Sequence, residues 1–540
     1  MSSKDFSWMI GGPQGSGINV AAETLAKSFS RGGYFVFANI EYHSNIMAYL
    51  DLLKGALRQV GREAEFKKFE IMKNTLALGA SIALLDYDLD LVAEIIRETF
   101  TGRKAKVGEL NLMALQTAHR YARETFGDDF PHRISAQKPR PDQILMRGAQ
   151  AVAIGKLKAG LAFQTYYPIS PATDESVYLE SQQRKYHFLV IQAEDEISAI
   201  NMAVGAAHMG VRASTSTAGP GFSLMPEGVG FAAITEAPGP VIFLYQRGGP
   251  STGLPTRSEQ ADLRIALHPS HGEFPHLVIA PGDVIESFYD SFEAFNWADR
   301  YQMPVIVLLD KLIATSYRSV PRPDMSHLKI DRGSLHQPAD PPPQAGDGYL
   351  RYAPTETGIT PRATPGQEGG LFWATTDEHN PKGHISEGIE HRLAQMEKRM
   401  KKLEVAAQEI PEKNKYTLHG PHKADVTIVS WGSTKGPILD ALPELQAKGH
   451  TVNFLQLRLL RPFPTEAIGQ VLRSAQQLVA IEANYSGQMA GLIREMTSVH
   501  IPRLVVKYDG RPFSQNEIVE GVERALGGQA QRVMVSHPGG

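Results

Sequence analysis

The sequence contains no cysteine. That excludes disulfides, thiol catalysis and the usual thiolate ligation of an iron–sulfur cluster by these residues. It also lacks any apolar run of the ~18 residues that suggest a membrane-spanning helix. Charge of one sign is scarce: 55 Lys and Arg oppose 58 Asp and Glu, for a net −3. There is thus no basic excess of the kind that marks a nucleic-acid surface. Met1-Ser2-Ser3-Lys4-Asp5 leads directly into a strand-like run with no signal-peptide core, which predicts a cytoplasmic protein. What is present is an ordinary globular composition over 540 residues, room for three or four domains.

Taken in order, Phe6–Ile10 reads as a buried strand entering the glycine turn Gly11–Gly17, with a helical pattern from Ile18. Strand, glycine turn and helix can present backbone amides to an anion, but the spacing is not that of a dinucleotide fingerprint, and a plain tight turn reads as well. Helical sequence closes a first domain over residues 1–130, and the polar, proline-containing stretch 131–142 reads as a linker. Over 143–322, short apolar runs such as Val241–Leu244 and Val305–Leu309 alternate with helical patterns, which predicts a parallel sheet covered on both faces. Periodicity is lost over 323–422, where proline- and glycine-rich loops precede a charged helix from about Ser386 to Leu403. Asp377-Glu378-His379 in this arm has metal-ligand chemistry, but three adjacent residues do not converge on one ion without a sharp turn, and a loop is the better reading. A second α/β unit occupies 423–540, beginning at the strand Val426–Ser430. Within it Glu482–Gln488 follows a strand end and reads as a structural turn, with a ligand or partner contact as the alternative.

One stretch carries chemistry. Tyr167-Pro168-Ile169-Ser170-Pro171 is a turn stiffened by two prolines, able to hold a hydroxyl in one place. Glu196 opens the apolar-rich helical run Glu196–Gly205. From the residues alone it is either a helix-start carboxylate stabilised by the dipole or a group placed to exchange a proton, with Glu194 as its rival. Arg247-Gly248-Gly249-Pro250-Ser251-Thr252-Gly253-Leu254-Pro255-Thr256 joins a forked cation to a small-residue loop. Ser170 and Arg247 both follow strand-like runs, where ligands sit in such sheets. Taken singly, Ser170 reads equally as a turn serine and Arg247 as a surface arginine.

These motifs together resemble the alpha subunit of the 2-oxoacid:ferredoxin oxidoreductases, over nearly the whole chain from the Gly11 turn to Asp509-Gly510-Arg511-Pro512-Phe513. The resemblance implies an α/β multidomain fold: a small N-terminal gamma-type domain, a parallel-sheet domain binding the pyrimidine of thiamine diphosphate, and a transketolase C-terminal-like domain. The gamma-type domain is shortened, because charged helix-forming sequence from about Ala48 to Lys73 stands where the family carries a glycine-rich arm.

For the site, the resemblance makes Glu196 the carboxylate at the aminopyrimidine, where acid–base exchange activates the cofactor through its own ring. Tyr167, Pro168, Ile169 and Phe222 would line the cofactor; Phe222 on its own would read as core. Ser170, Arg247 and Thr256 would bind the substrate, the arginine pairing with its carboxylate. His271-Gly272-Glu273-Phe274-Pro275 resembles the 2-oxoglutarate and broad 2-oxoacid types. The implied reaction is coenzyme A-dependent oxidative decarboxylation of a 2-oxoacid, or its reductive reverse, with ferredoxin as electron partner. A thiamine diphosphate site also needs oxygen ligands for Mg²⁺. The one Gly-Asp-Gly triplet, Gly346–Gly348, lies in the proline-rich segment with no strand before it and reads as a loop, so the chain is expected to hold no metal. The Mg²⁺ and a [4Fe-4S] cluster are therefore expected on a beta subunit, in an α2β2 heterotetramer sharing the thiamine diphosphate. A non-catalytic scaffold subunit, or a cluster-free transketolase-like transferase, are the competing readings.

Overall fold

The computed structural model describes residues 18–32, 36–38, 58, 73–127, 130, 133–134, 137–138, 140–337, 348–528 and 530–536. The expected strand Phe6–Ile10, the glycine turn Gly11–Gly17, Gly346 and Asp347 lie outside them. Two compact units are present, one formed by Met1–Met146 with Ser316–Pro323, the other by Arg147–Thr315 with Asp324–Gly540.

In the first unit, helices Ile18–Arg31, Lys73–Leu84, Leu89–Thr99 and Ala105–Phe126 enclose a core that includes Leu25, Leu78, Ile82, Val92, Ile96 and Leu115. Asp88 caps the third helix by accepting from the amides of Asp90 and Leu91. Gly79 lets the second and fourth helices touch, since a Cβ there would lie 2.3 Å from the Leu115 carbonyl oxygen.

The second unit is built on two sheets. The larger has seven strands in the order Leu459–Arg461, Leu277–Ile279, Val305–Asp310, Val241–Gln246, Ala213–Ala218, Phe163–Tyr166, Leu189–Gln192. All its pairings are parallel except that of the Leu459–Arg461 edge. Val241–Gln246 and Val305–Asp310 are buried at every residue, as strands covered on both faces must be. Ile242, Leu244 and Ile306 belong to one core cluster, Val241, Phe243 and Val305 to another. The smaller sheet has six strands, in the order Tyr416–His419, Val452–Leu457, Val426–Trp431, Gln477–Glu482, Arg503–Val506, Arg532–Met534, antiparallel only at its first pair. Leu459–Arg461 leaves this sheet to complete the larger one. Three residues with a register shift at their pairing carry too little periodicity to be seen in sequence.

The arm between the two sheets is irregular until the helix Ile389–Glu409, longer than the one expected from sequence. Buried charge holds it. Lys398 and Lys402 both donate to the Glu236 carboxylate, and Arg351 Nη2 donates to the Glu236 carbonyl at 2.6 Å. Arg362 Nη2 reaches Asp299 Oδ1 at 2.8 Å. Among the described residues no helix is long and apolar enough to cross a membrane.

Candidate functional site

The strand Phe163–Tyr166 delivers the Tyr167–Pro171 turn at its carboxyl end. Thr165 Oγ1 donates to the Ala199 carbonyl at 2.8 Å and ties this strand to the helix Glu196–His208. Ile169 is half-buried, while Tyr167, Pro168 and Ser170 are exposed. Three residues beyond the next strand, Asp195 caps the Glu196–His208 helix, its carboxylate accepting from the Ser198 amide at 2.7 Å. Asp195 takes the capping role, so Glu196 is left without it. Geometry also separates the two glutamates: Glu194 is exposed, whereas Glu196 is 5% exposed. The Glu196 carboxylate rests on the short helical turn Gly219–Phe222. A Cβ on Gly221 would lie 2.4 Å from Glu196 Oε1 and 2.3 Å from Thr217 Oγ1, so only glycine fits. Phe222 is fully buried behind it.

Arg247 follows the strand Val241–Gln246 and is buried. Its Nη1 donates to the Ser170 carbonyl at 2.9 Å, which joins the two motifs through a backbone oxygen. Its Nε, although buried, has no hydrogen-bond partner among the described residues. The loop after it closes on itself: the Leu254 amide donates to the Gly248 carbonyl at 2.8 Å. Gly253, at φ +53, sits where a Cβ would meet the Gly248 oxygen at 2.1 Å. Thr256 is half-buried at the end of this loop. Ser170 and Arg247 are thus in contact, as are Glu196 and the Phe222 turn; among the described residues Tyr167 and Thr256 make no hydrogen bond to either pair.

Sequence reasoning missed the groups behind the loop. The Gly249 amide donates to Glu259 Oε2 at 3.2 Å. Asp262 is pushed up to about 7 by burial, with the charge of Glu259 adding to the rise and Arg247 opposing it. Beneath the sheet's carboxyl end Lys156 pairs with Glu175 at 2.5 Å, and Tyr245 and Ser216 donate to Glu175 Oε2 at 2.8 and 3.0 Å. This sealed network braces the strands that carry Ser170 and Arg247. The only available signal was polarity: Glu175, Glu259 and Asp262 are acidic residues beside apolar runs, and nothing local says that they turn inward.

The segment after the loop is clamped by the smaller sheet's unit. Gln260 Nε2 donates to the Trp431 carbonyl at 2.9 Å, its amide donates to the Ala483 carbonyl at 2.7 Å, and the Ser258 amide donates to the Gly510 carbonyl at 3.2 Å. Gly510, at φ +79, leaves room for Arg257 and Leu254. Glu482 accepts from the Met489 and Ala490 amides at 2.9 Å each, so the Glu482–Gln488 stretch caps a helix. In the arm, Arg392 and Arg399 hold Glu378 at 2.8 and 2.6 Å, and buried His379 packs on Tyr352. His271, Gly272 and Glu273 are exposed.

A buried carboxylate needs a donor or a counter-charge. Among the described residues Glu196 has no hydrogen-bond donor, and Arg247 Nε, at the end of another strand of the same sheet, is buried without a partner. The residues therefore fit a bound group that presents a donor to Glu196 and an anion to Arg247.

Comparison with known proteins bears on what that group is. Residues 154–398 match the family model for the thiamine diphosphate-binding domain of pyruvate flavodoxin/ferredoxin oxidoreductases. Residues 424–518 match pyruvate:ferredoxin oxidoreductase core domain II. The chain is similar to the 2-oxoacid:ferredoxin oxidoreductase subunit alpha of Saccharolobus solfataricus, 34% identical over 99% of each chain. It is also similar to 2-oxoglutarate oxidoreductase subunit KorA of Mycobacterium tuberculosis, 34% identical over 91% of this chain and 73% of the relative. Among solved structures it resembles the 2-oxoglutarate:ferredoxin oxidoreductase of Magnetococcus marinus with 2-oxoglutarate, coenzyme A and succinyl-CoA bound. There the TM-score is 0.83 at 27% identity, over 95% of this chain and 98% of that one.

Proposed function

The chain belongs to the alpha subunits of the 2-oxoacid:ferredoxin oxidoreductases, and we propose that it supplies the pyrimidine side of a thiamine diphosphate site at which a 2-oxoacid, 2-oxoglutarate before others, is oxidatively decarboxylated. The observation that carries this reading is Glu196, buried against the Gly221 turn with no hydrogen-bond donor among the described residues. When bound, thiamine diphosphate supplies a carbon nucleophile and an electron sink. Glu196 holds a proton in exchange with the aminopyrimidine nitrogen, and its burial strengthens that bond. Phe222 backs the pocket, and Tyr167, Pro168 and Ile169 form its rigid wall. Arg247, steadied on the Ser170 carbonyl, pairs with the substrate carboxylate. The Ser170 hydroxyl and Thr256 hydrogen-bond substrate oxygens.

Coenzyme A receives the acyl group and ferredoxin the electrons; the same site serves reductive carboxylation. The diphosphate, its Mg²⁺ and a [4Fe-4S] cluster belong to a beta subunit in an α2β2 assembly. The cysteine-free sequence supports that division, because it offers no thiolate to a cluster. The 2-oxoglutarate preference rests on the His271–Pro275 loop and on the names that the relatives carry. Co-expression with the partner chain tests the reading. Viologen dye reduction should depend on a 2-oxoacid, fastest with 2-oxoglutarate, and Glu196→Gln should remove it. Undiminished turnover in that variant would refute the assignment; faster turnover of pyruvate would refute the substrate preference.

A further inference from the structure

Asp262 stands immediately before the short helix Leu263–Leu267, where an aspartate ordinarily accepts from the free amides of the first turn. Here the side chain makes no such bond. The Asp262 amide donates to Gln246 Oε1 at 3.0 Å, and the carboxyl faces Gly219. A Cβ on Gly219 would lie 2.6 Å from Oδ2 and 2.9 Å from Oδ1. Two glycines of one four-residue turn thus make room for two carboxyl groups, Gly221 for Glu196 and Gly219 for Asp262. Oδ2 of Asp262 is sealed from solvent without a hydrogen-bond partner among the described residues, and so is Nε of Arg247. Leaving such atoms open is costly, the more so when they are charged. No ion pair joins the two groups, yet each feels the other's charge, so both stay available to a third group.

We propose that Asp262 is a positioning residue for Arg247: its carboxyl, set on the Gly219 turn with an unfilled oxygen, decides how much of the guanidinium's charge is offered to an incoming 2-oxoacid carboxylate. The role depends on Arg247 binding the acid, as proposed above. Protonated, Asp262 leaves Arg247 its whole charge. Ionised, it competes with the substrate for the guanidinium and repels the substrate's carboxylate. The charged groups around it are Arg247, which favours ionisation, and Glu259, which opposes it; Glu196 lies at the other glycine of the turn. Burial holds Asp262 at about 7, so the switch falls in the working range of pH.

The test is the pH profile of KM and kcat in the purified complex with its partner chain, using whichever 2-oxoacid is turned over fastest. From about pH 6.5 to about pH 8.5 the wild-type KM should rise by about an order of magnitude as the competent, protonated fraction shrinks, with kcat changing less. Asp262→Asn should flatten that rise. Glu259→Gln removes the charge that holds the Asp262 proton, so it should move the rise to lower pH; it also serves if the first variant misfolds. A flat wild-type profile, or an Asp262→Asn profile that climbs like the wild type's, overturns the role while leaving the functional reading intact. Absence of turnover with every 2-oxoacid would instead sink the functional reading and this role with it.

Discussion

Two clusters of buried charge lie in the same α/β unit, and they differ in whether their atoms are taken. Around Glu236 the carboxylate is answered twice over: Lys398 and Lys402 donate to it, Lys402 Nζ also reaches the Gln302 carbonyl at 3.1 Å, and Arg351 Nη2 takes the Glu236 carbonyl, leaving of these charged groups only Arg351 Nη1 open. Burial alone would raise the Glu236 carboxyl, but the two ammonium groups override it and hold it far below the usual range. Burial in turn pushes Lys398 down to about 8 and Lys402 to about 7. Around Arg247 the opposite holds. Arg247 Nε and Asp262 Oδ2 are sealed without partners, and Glu196 has no donor among the described residues. Glu236, Lys398 and Lys402 are buried, whereas Asp262 and Glu259 are half-buried, so the clusters differ in burial as well as in how their carboxylates are paired. A saturated cluster fastens an irregular arm to the sheet. An unsaturated one, where polar atoms are left open at a cost, is a place kept for a ligand.

That contrast can be broken by substitution. The largest effect belongs to the open cluster: Glu196→Gln should lower 2-oxoacid-dependent dye reduction by about 10²–10⁴-fold. Its thermal midpoint should scarcely move, because no protein partner is lost; a large drop in midpoint would place Glu196 among the structural charges. In the saturated cluster, Glu236→Gln leaves two buried ammonium groups without a counter-charge and should cost roughly 3–5 kcal/mol in denaturant unfolding. The folded fraction should keep its KM; a raised KM would mean that the arm reaches the site. Arg247→Lys keeps the charge but loses the fork, and KM for the 2-oxoacid should rise about tenfold, from the ~1.5 kcal/mol that one charged hydrogen bond contributes.

A further effect is thermal and pH-dependent. Asp262 has its folded value raised from 3.8 to about 7. Between those values the folded chain holds a proton that the unfolded chain has released. Stability therefore falls as pH rises from about 4 through about 7, and the whole penalty is present above that. Asp262→Asn lacks the penalty, so its melting midpoint relative to wild type should climb between about pH 5 and about pH 8. A difference that shrinks over that range would contradict the burial of the carboxyl.

Much of the site was legible before the structure because its motifs are local. A proline-flanked hydroxyl, a helix-opening carboxylate and an arginine ahead of a small-residue loop each sit within a few residues of a strand end. Only the family resemblance favoured Glu196 over Glu194 in sequence: two residues apart, they differ in which way the chain turns, and in the fold Asp195 caps the helix by accepting from Ser198. Asp262 was invisible for another reason. Its position looks like an ordinary helix cap, and only the packing of Gly219 against it turns the carboxyl inward. Glu236 lies more than 160 residues from Lys398 and Lys402 in the chain, so their pairing leaves no local trace.

Sequence by itself determined the alternation of apolar runs and helices, hence parallel sheets buried on both faces, and the residue types available at the strand ends. Apolar periodicity is a short-range property, and it survives in the chain without the fold. Which carboxyls are answered and which are left open was decided by tertiary structure alone. Desolvation and pairing depend on neighbours brought together from distant parts of the chain, and a linear sequence does not encode those distances residue by residue.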